Sequence, residues 1–244
     1  MKKLLFVIAG AMLLATSCIR IAVNTVKGEG EVITESRIFD VDSVSALGVS
    51  SGFDVVLDSS IEPGVVEITT YQNVLELVEI KVENGSLEIG MRSGTSCSAE
   101  RLEARLSPVG LNIFAVSGGA DLMCAEKMAI DGRLVVAVSG GADLDFADVA
   151  ADEAVVAVSG GADVDINGVC RHLEAAVSGG ADADLGDLCA ETVKADASGG
   201  ADLEVYATVS YVIEASGAAD VEYRDTGAKL NIDSSGAADV KPMD

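Results

Sequence analysis

The chain has no tryptophan, a single histidine (His172), three prolines, and only 16 basic residues against 40 acidic ones. Aromatic residues make up 4% of its 244 positions. Each shortage excludes something. Flat stacking platforms for sugars or bases are scarce. One histidine and no C-x-x-C pair argue against a zinc site. A formal net charge of −24 repels phosphate backbones, so nucleic acid is excluded as a partner. Few prolines and 49% hydrophobic residues argue against disorder.

The beginning of the chain carries a sorting signal. Lys2 and Lys3 precede an apolar run, Leu4 to Leu14, too short for a typical membrane span. Small residues Ala15, Thr16 and Ser17 then lead to Cys18, a pattern that resembles the lipobox of bacterial lipoproteins. Residues 1–17 are read as a signal peptide and Cys18 as the lipid attachment site. The competing reading is an ordinary secretory signal with an incidental cysteine. Either implies export to a bacterial cell envelope. The lipoprotein reading adds a membrane partner through the lipid anchor, expected at the outer membrane.

What fills the rest is a repeat. S-G-G-A-D begins at Ser117, Ser139, Ser159, Ser178 and Ser198, and S-G-A-A-D at Ser216 and Ser235. The motif aspartates are separated by 22, 20, 19, 20, 18 and 19 residues, a period that marks a solenoid. Apolar residues alternate on both sides of each motif: Leu134, Val136 and Val138 before, Ala142, Leu144 and Phe146 after. Period-two alternation around a glycine turn means strand, corner, strand. Twenty residues cannot bury an apolar face alone, but stacked copies can. The expected fold is all-β: a parallel β-solenoid (β-helix) with ~20-residue coils, right-handed by the rule for parallel crossovers.

Each corner has one invariant feature. Gly118, Gly140, Gly160, Gly179, Gly199, Gly217 and Gly236 hold the first turn position, whereas the second becomes Ala218 and Ala237 in the last two copies. The first position is therefore expected to need φ > 0. The following alanine should point inward. The serine and aspartate side chains are expected to bond turn amides that lack a ladder partner. Cys170 and Cys189 each lie eleven residues after their serines and are expected to stack, as two buried thiols or as a disulfide.

Residues 31–116 are β-rich but irregular, and 117–244 are regular repeats of the same domain. Ser51 to Leu57, "SGFDVVL", resembles a degenerate corner. Asn84-Gly85 sits between two alternating runs and signals a hairpin. Residues 18–30 are expected to be a tether. These phrases, with the serial S-G corners, resemble the auto-transporter adhesin "head GIN" domain family, common in Bacteroidetes lipoproteins. The resemblance covers residues 35 to 244. It implies a pectin-lyase-like superhelix and a role in adhesion to a host or cell-surface ligand, and it carries over no catalytic residue. The family's turns centre on G-S-G, whereas here serine leads the glycines.

Two functions compete. One is a lipid-anchored binding module, adhesive or structural. The other is a pectin-lyase-like polysaccharide-processing enzyme. Against the enzyme stand the shortage of arginine and lysine and the acidic faces, which would repel polyuronates. Arg171, His172 and Glu174 form the only cluster with catalytic residue types, and a solvated pair explains it. Asp143 with Asp145, Asp163 with Asp165, and Asp182 with Asp184 should form stacked carboxylate ladders. Solvated corner aspartates are the default, and weak calcium binding the alternative. No other cofactor is expected.

Overall fold

In the computed structural model, residues 24–243 are described; the expected signal peptide 1–17 and Cys18 lie outside them. The described chain is a β-solenoid of about six stacked turns. Two strand ladders run along the stack and meet at the S-G corners.

The regular part is a column of identical pairings. Ser117, Ser139, Ser159, Ser178, Ser198 and Ser216 are parallel partners in sequence. Strand β10 (Ile113–Ser117) leads into β11 (Asp121–Ala129), and β12 (Arg133–Gly140) stacks above β10. Above them, β13 (Asp143–Gly160), β14 (Asp163–Gly179), β15 (Asp182–Gly199) and β16 (Asp202–Gly217) each wrap from one ladder to the other. β17 (Asp220–Tyr223), β18 (Lys229–Ser234) and β19 (Asp239–Pro242) complete the stack.

The corner geometry follows from the backbone. All seven first-position glycines have φ between +69° and +91°. At Gly160 a Cβ would also lie 2.8 Å from Gly140 O and 3.0 Å from Gly140 N. The second glycine is different: only Gly119 has positive φ, at +71°. A Cβ on Gly161 would meet nothing closer than 3.8 Å, which is why alanine replaces it in the last two corners. The next alanine is fully buried at positions 120, 142, 162, 181, 201 and 219.

At the central corners the backbone takes the role expected of the serine and aspartate side chains. The turn amides already have partners in the preceding coil. Gly161 N donates to Gly140 O at 2.8 Å, Gly180 N to Gly160 O at 2.8 Å, and Asp163 N to Ala142 O at 3.1 Å. Parallel stacking continues through the corner, so these amides need no side-chain acceptor.

The head departs from a purely parallel coil. β3 (Ala46–Val49) and β4 (Asp54–Leu57) flank the Ser51-Gly52 corner. They pair in parallel with β10 and β11 on one side, and with β7 (Ser86–Met91) and β9 (Leu102–Leu106) on the other. Coil 46–57 is thus sandwiched between a later and a still later stretch of chain. Antiparallel strands finish this end. β5 (Val65–Tyr71) pairs with β9 and with β2 (Val32–Ile38), and β6 (Val78–Glu83) pairs with β7 through the Asn84-Gly85 turn. Both turn residues have positive φ, +52° and +82°, the hairpin conformation this dipeptide favours. A one-turn helix, α1 (Gln72–Leu75), links β5 to β6. Residues 24–27, expected within the tether, instead form β1 (Asn24–Lys27), which pairs in parallel with β8 (Thr95–Ser98).

The interior is a single apolar column. Phe53, Phe114 and Phe146 fill it near the head, with Phe114 and Phe146 edge to face at 5.0 Å. Near the other end Tyr211 is buried, and its hydroxyl donates to Arg224 O and accepts from Ala207 N.

Cys170 and Cys189 do not stack. Cys189 pairs with Val169, and Cys170 pairs with Ala151. A register shift between Asp165 and Gly168 slips the second corner by one residue. A one-residue slip turns a side chain to the other face. Cys170 therefore points inward and Cys189 outward, and both are free thiols.

Candidate interaction surfaces

The acidic ladder is longer than the repeats alone suggest. Asp54 of the head joins Asp121, Asp143, Asp163, Asp182, Asp202, Asp220 and Asp239 in one register. Two residues on, Asp145, Asp165, Asp184, Glu204 and Glu222 form a second row, which ends at Lys241. Lys241 Nζ lies 3.1 Å from Glu222. Partial burial, then the neighbouring carboxylates, push Asp121, Asp165, Asp182 and Glu204 above the usual carboxylate range. Asp54 rises for the same reasons, with Glu103 as its charged neighbour. Among the described residues, no group of three or more His, Cys, Asp or Glu side chains converges to hold a metal ion.

The His172 cluster separates into cross-coil pairs. His172 Nδ1 is 2.8 Å from Thr192 Oγ1, Arg171 Nε donates to Asp152 at 3.0 Å, and Lys194 Nζ donates to Glu174 at 3.0 Å. Each partner sits about one repeat away in sequence and next to its mate in the stack. His172 has Thr192, not Glu174, as its neighbour. The arrangement ties neighbouring coils together.

A larger concavity lies elsewhere, at the head. A groove of about 870 Å³ runs over the outer face of β7 and β3, lined in part by Ser50, Lys81, Glu88, Arg92, Ser96 and Ile113. Two glycines open it. A Cβ on Gly48 would strike Glu88 Oε2, and one on Gly90 would lie 2.6 Å from Ser50 Oγ. Glu88 therefore lies flat across Gly48, and its Oε1 accepts from Ser86 Oγ at 2.6 Å. Arg92 is braced by Glu76 O at 2.8 Å. Cys97 also lines the groove, and burial pushes its thiol up. The result is a floor of fixed donors and acceptors of both charge signs, suited to a polar ligand. Sequence reasoning missed this groove. The available signal was Gly48 and Gly90 on one outward face, which is legible only once the head strands are in register.

Known proteins place these surfaces in a family. The model of the family described as "Putative auto-transporter adhesin, head GIN domain" matches residues 44–227. A putative adhesin from Bacteroides fragilis NCTC 9343 superposes with a TM-score of 0.81 at 15% identity, over 89% of this chain and 100% of its own. A putative adhesin from Parabacteroides merdae ATCC 43184 gives 0.71 at 15% identity, over 91% and 100%. A protein named "putative lipid binding protein", from Parabacteroides distasonis ATCC 8503, gives 0.68 at 13% identity, over 91% and 100%. No curated protein matches. With three quarters of its length inside the family match, the chain belongs to the auto-transporter adhesin, head GIN domain family.

Proposed function

We propose that this protein is a non-catalytic binding module of the bacterial cell envelope, adhesive in role and held at the outer membrane by a lipid on Cys18. The head groove carries the binding half of this reading. Its Glu88 and Arg92 side chains are held by hydrogen bonds before any ligand arrives, which lowers the ordering cost of recognition. The adhesin names borne by its structural neighbours support the same reading. The lipobox-like run before Cys18 supports the anchor.

Labelled protein titrated onto intact host cells and onto a glycan array tests the binding half. Saturable binding is expected, reduced at least tenfold by Lys81→Glu with Arg92→Glu and unchanged by Asp163→Asn. Equal binding by all three proteins would remove the groove. Turnover of a glycan by the wild type, lost on His172→Ala, would establish the enzyme instead. For the anchor, Cys18→Ala should abolish the diacylated form and release the protein from membranes. Mass spectrometry of an unmodified Cys18 in the wild type would rule the anchor out.

A further inference from the structure

The far end of the stack is built differently from its middle. β13, β14 and β15 each have a strand on both sides, whereas among the described residues β18 pairs only with β16 and β19 only with β17. Leu230 and Ile232 of β18 stand in core rows, over the buried Tyr211 and Ile213, yet they are 43% and 37% exposed. The backbone of this edge is open as well. Ser235 N donates to Ala215 O in the coil beneath. Strand alternation then aims the N–H and C=O groups of Leu230, Ile232 and Ser234 the other way, at the open edge. β19 is the poorer edge of the two, because Pro242 has no N–H to give.

The side chains of β18 specify what fits there. Lys229-Leu230-Asn231-Ile232-Asp233 reads cation, apolar, amide, apolar, anion. Reversed, it reads the same with the charges exchanged. An antiparallel copy centred on Asn231 therefore sets Lys229 opposite Asp233 and Leu230 opposite Ile232 in a single register. We propose that β18 pairs antiparallel with β18 of a second copy of this chain, tail to tail, about a two-fold axis through Asn231.

Three requirements of such a seam are met together. The first is the backbone. Leu230 and the partner's Ile232 both aim N–H and C=O at the seam, so they exchange both bonds of a hydrogen-bonded pair. The second is facing. The register joins core-row residues to core-row residues, so the apolar column continues from one copy into the next. The third is charge. In the two preceding coils the row of Lys229 carries Ser210 and Thr192, while the row of Asp233 carries Glu214 and Asp196. A cation that can answer the acidic row across a two-fold axis therefore enters the Lys229 row at the last described coil, where the edge is open. Opposite charges facing each other across an antiparallel pair are favourable, and like charges are not. The two-fold closes on itself, so the assembly stops at two copies. Each dimer then presents its two heads, and both grooves, at opposite ends.

The test is cysteine cross-linking and sedimentation equilibrium of the full chain in detergent. Asn231→Cys should form an inter-chain disulfide under mild oxidation. Residues facing each other at a non-hydrogen-bonded pair lie about 4.5 Å apart at Cα, within disulfide range. Asp233→Cys should not, because its two copies are offset along the seam by roughly 14 Å. Mass spectrometry of the joined peptides separates a 231–231 bond from any made by the native cysteines. In sedimentation, Lys229→Glu and Asp233→Lys should each weaken the dimer at least tenfold, and the two together should restore it. Recovery in the double variant shows that the single changes act at the seam and not on folding. A monomeric wild type, no 231–231 bond, a 233–233 bond formed as readily, open-ended oligomers, or a double variant that stays monomeric would each overturn the pairing.

Discussion

Gly160 and Gly161 are adjacent, chemically identical and both on the surface of a central corner, yet alanine should affect them in opposite directions. At Gly160 two costs add. A β-carbon at φ +91° is strained by about 1–2 kcal/mol. The same carbon would sit 2.8 Å from Gly140 O, the atom that accepts the hydrogen bond from Gly161 N. Relieving that clash separates the coils and weakens the bond, a further ~0.5–1.5 kcal/mol. The sum is about 1.5–3.5 kcal/mol. At Gly161 the nearest atom to a new Cβ is 3.8 Å away, and φ is not left-handed. Alanine there restricts the unfolded chain and should stabilise by about 0.4–1 kcal/mol. For a chain of this size a kilocalorie shifts the melting point by about 2–4 °C. Circular dichroism melts should therefore put Gly160→Ala about 3–14 °C below the wild type, and Gly161→Ala level with it or up to ~4 °C above. Equal midpoints, or the reverse order, would refute the corner geometry.

Further expectations follow from the same corners. Ser159→Ala should change stability by less than about 0.5 kcal/mol, because the turn amides already bond the preceding coil; a larger loss in urea denaturation would restore a capping role for the serine. The carboxyls of Asp54, Asp121, Asp165, Asp182 and Glu204 bind protons more tightly in the folded chain than in the unfolded one. Stability should therefore rise as pH falls from 7 towards about 4.5, and be lost again on returning to 7. Asp58 acts oppositely. Its bonds from Ser60, and then its pairing with Arg105, hold it down to about 2, so its contribution disappears only below about pH 4. A melting point that falls between pH 7 and 4.5 would contradict the crowded ladder. Calcium and magnesium at equal ionic strength should raise the melting point equally by screening; a shift specific to calcium would establish a metal site on the Asp163 and Asp165 rows.

The solenoid was legible because its rule is local. Alternation, corner glycines and the inward alanine can each be read within twenty residues, and each stands where it was expected. The Asn84-Gly85 hairpin was legible for the same reason. Two features escaped. The slip that separates Cys170 from Cys189 arises at Gly168, where φ is +133° and a Cβ would strike Val149 O; counting from the serine cannot detect an irregularity beyond the corner. The head groove depends on Gly48 meeting Glu88, forty residues later, through a pairing that no short pattern encodes. The corner serines and aspartates misled for a third reason. Their side chains matched a turn-capping habit, but the backbone had already satisfied itself across coils.

The layer order of the head has a consequence for how such a gene can change length. Coil 46–57 lies between 86–106 and 113–129, so the head closes on itself and cannot lose or gain a layer without breaking a strand on each side. Beyond residue 129 the layers follow the order of the chain, and each presents the same corner to the next. A slip in DNA replication that duplicates or deletes one such unit leaves every remaining contact with an equivalent partner. Length variation among relatives should therefore accumulate in whole units on the far side of the head. The groove would then stay the same while its distance from the far end of the stack changes by about 4.8 Å per unit.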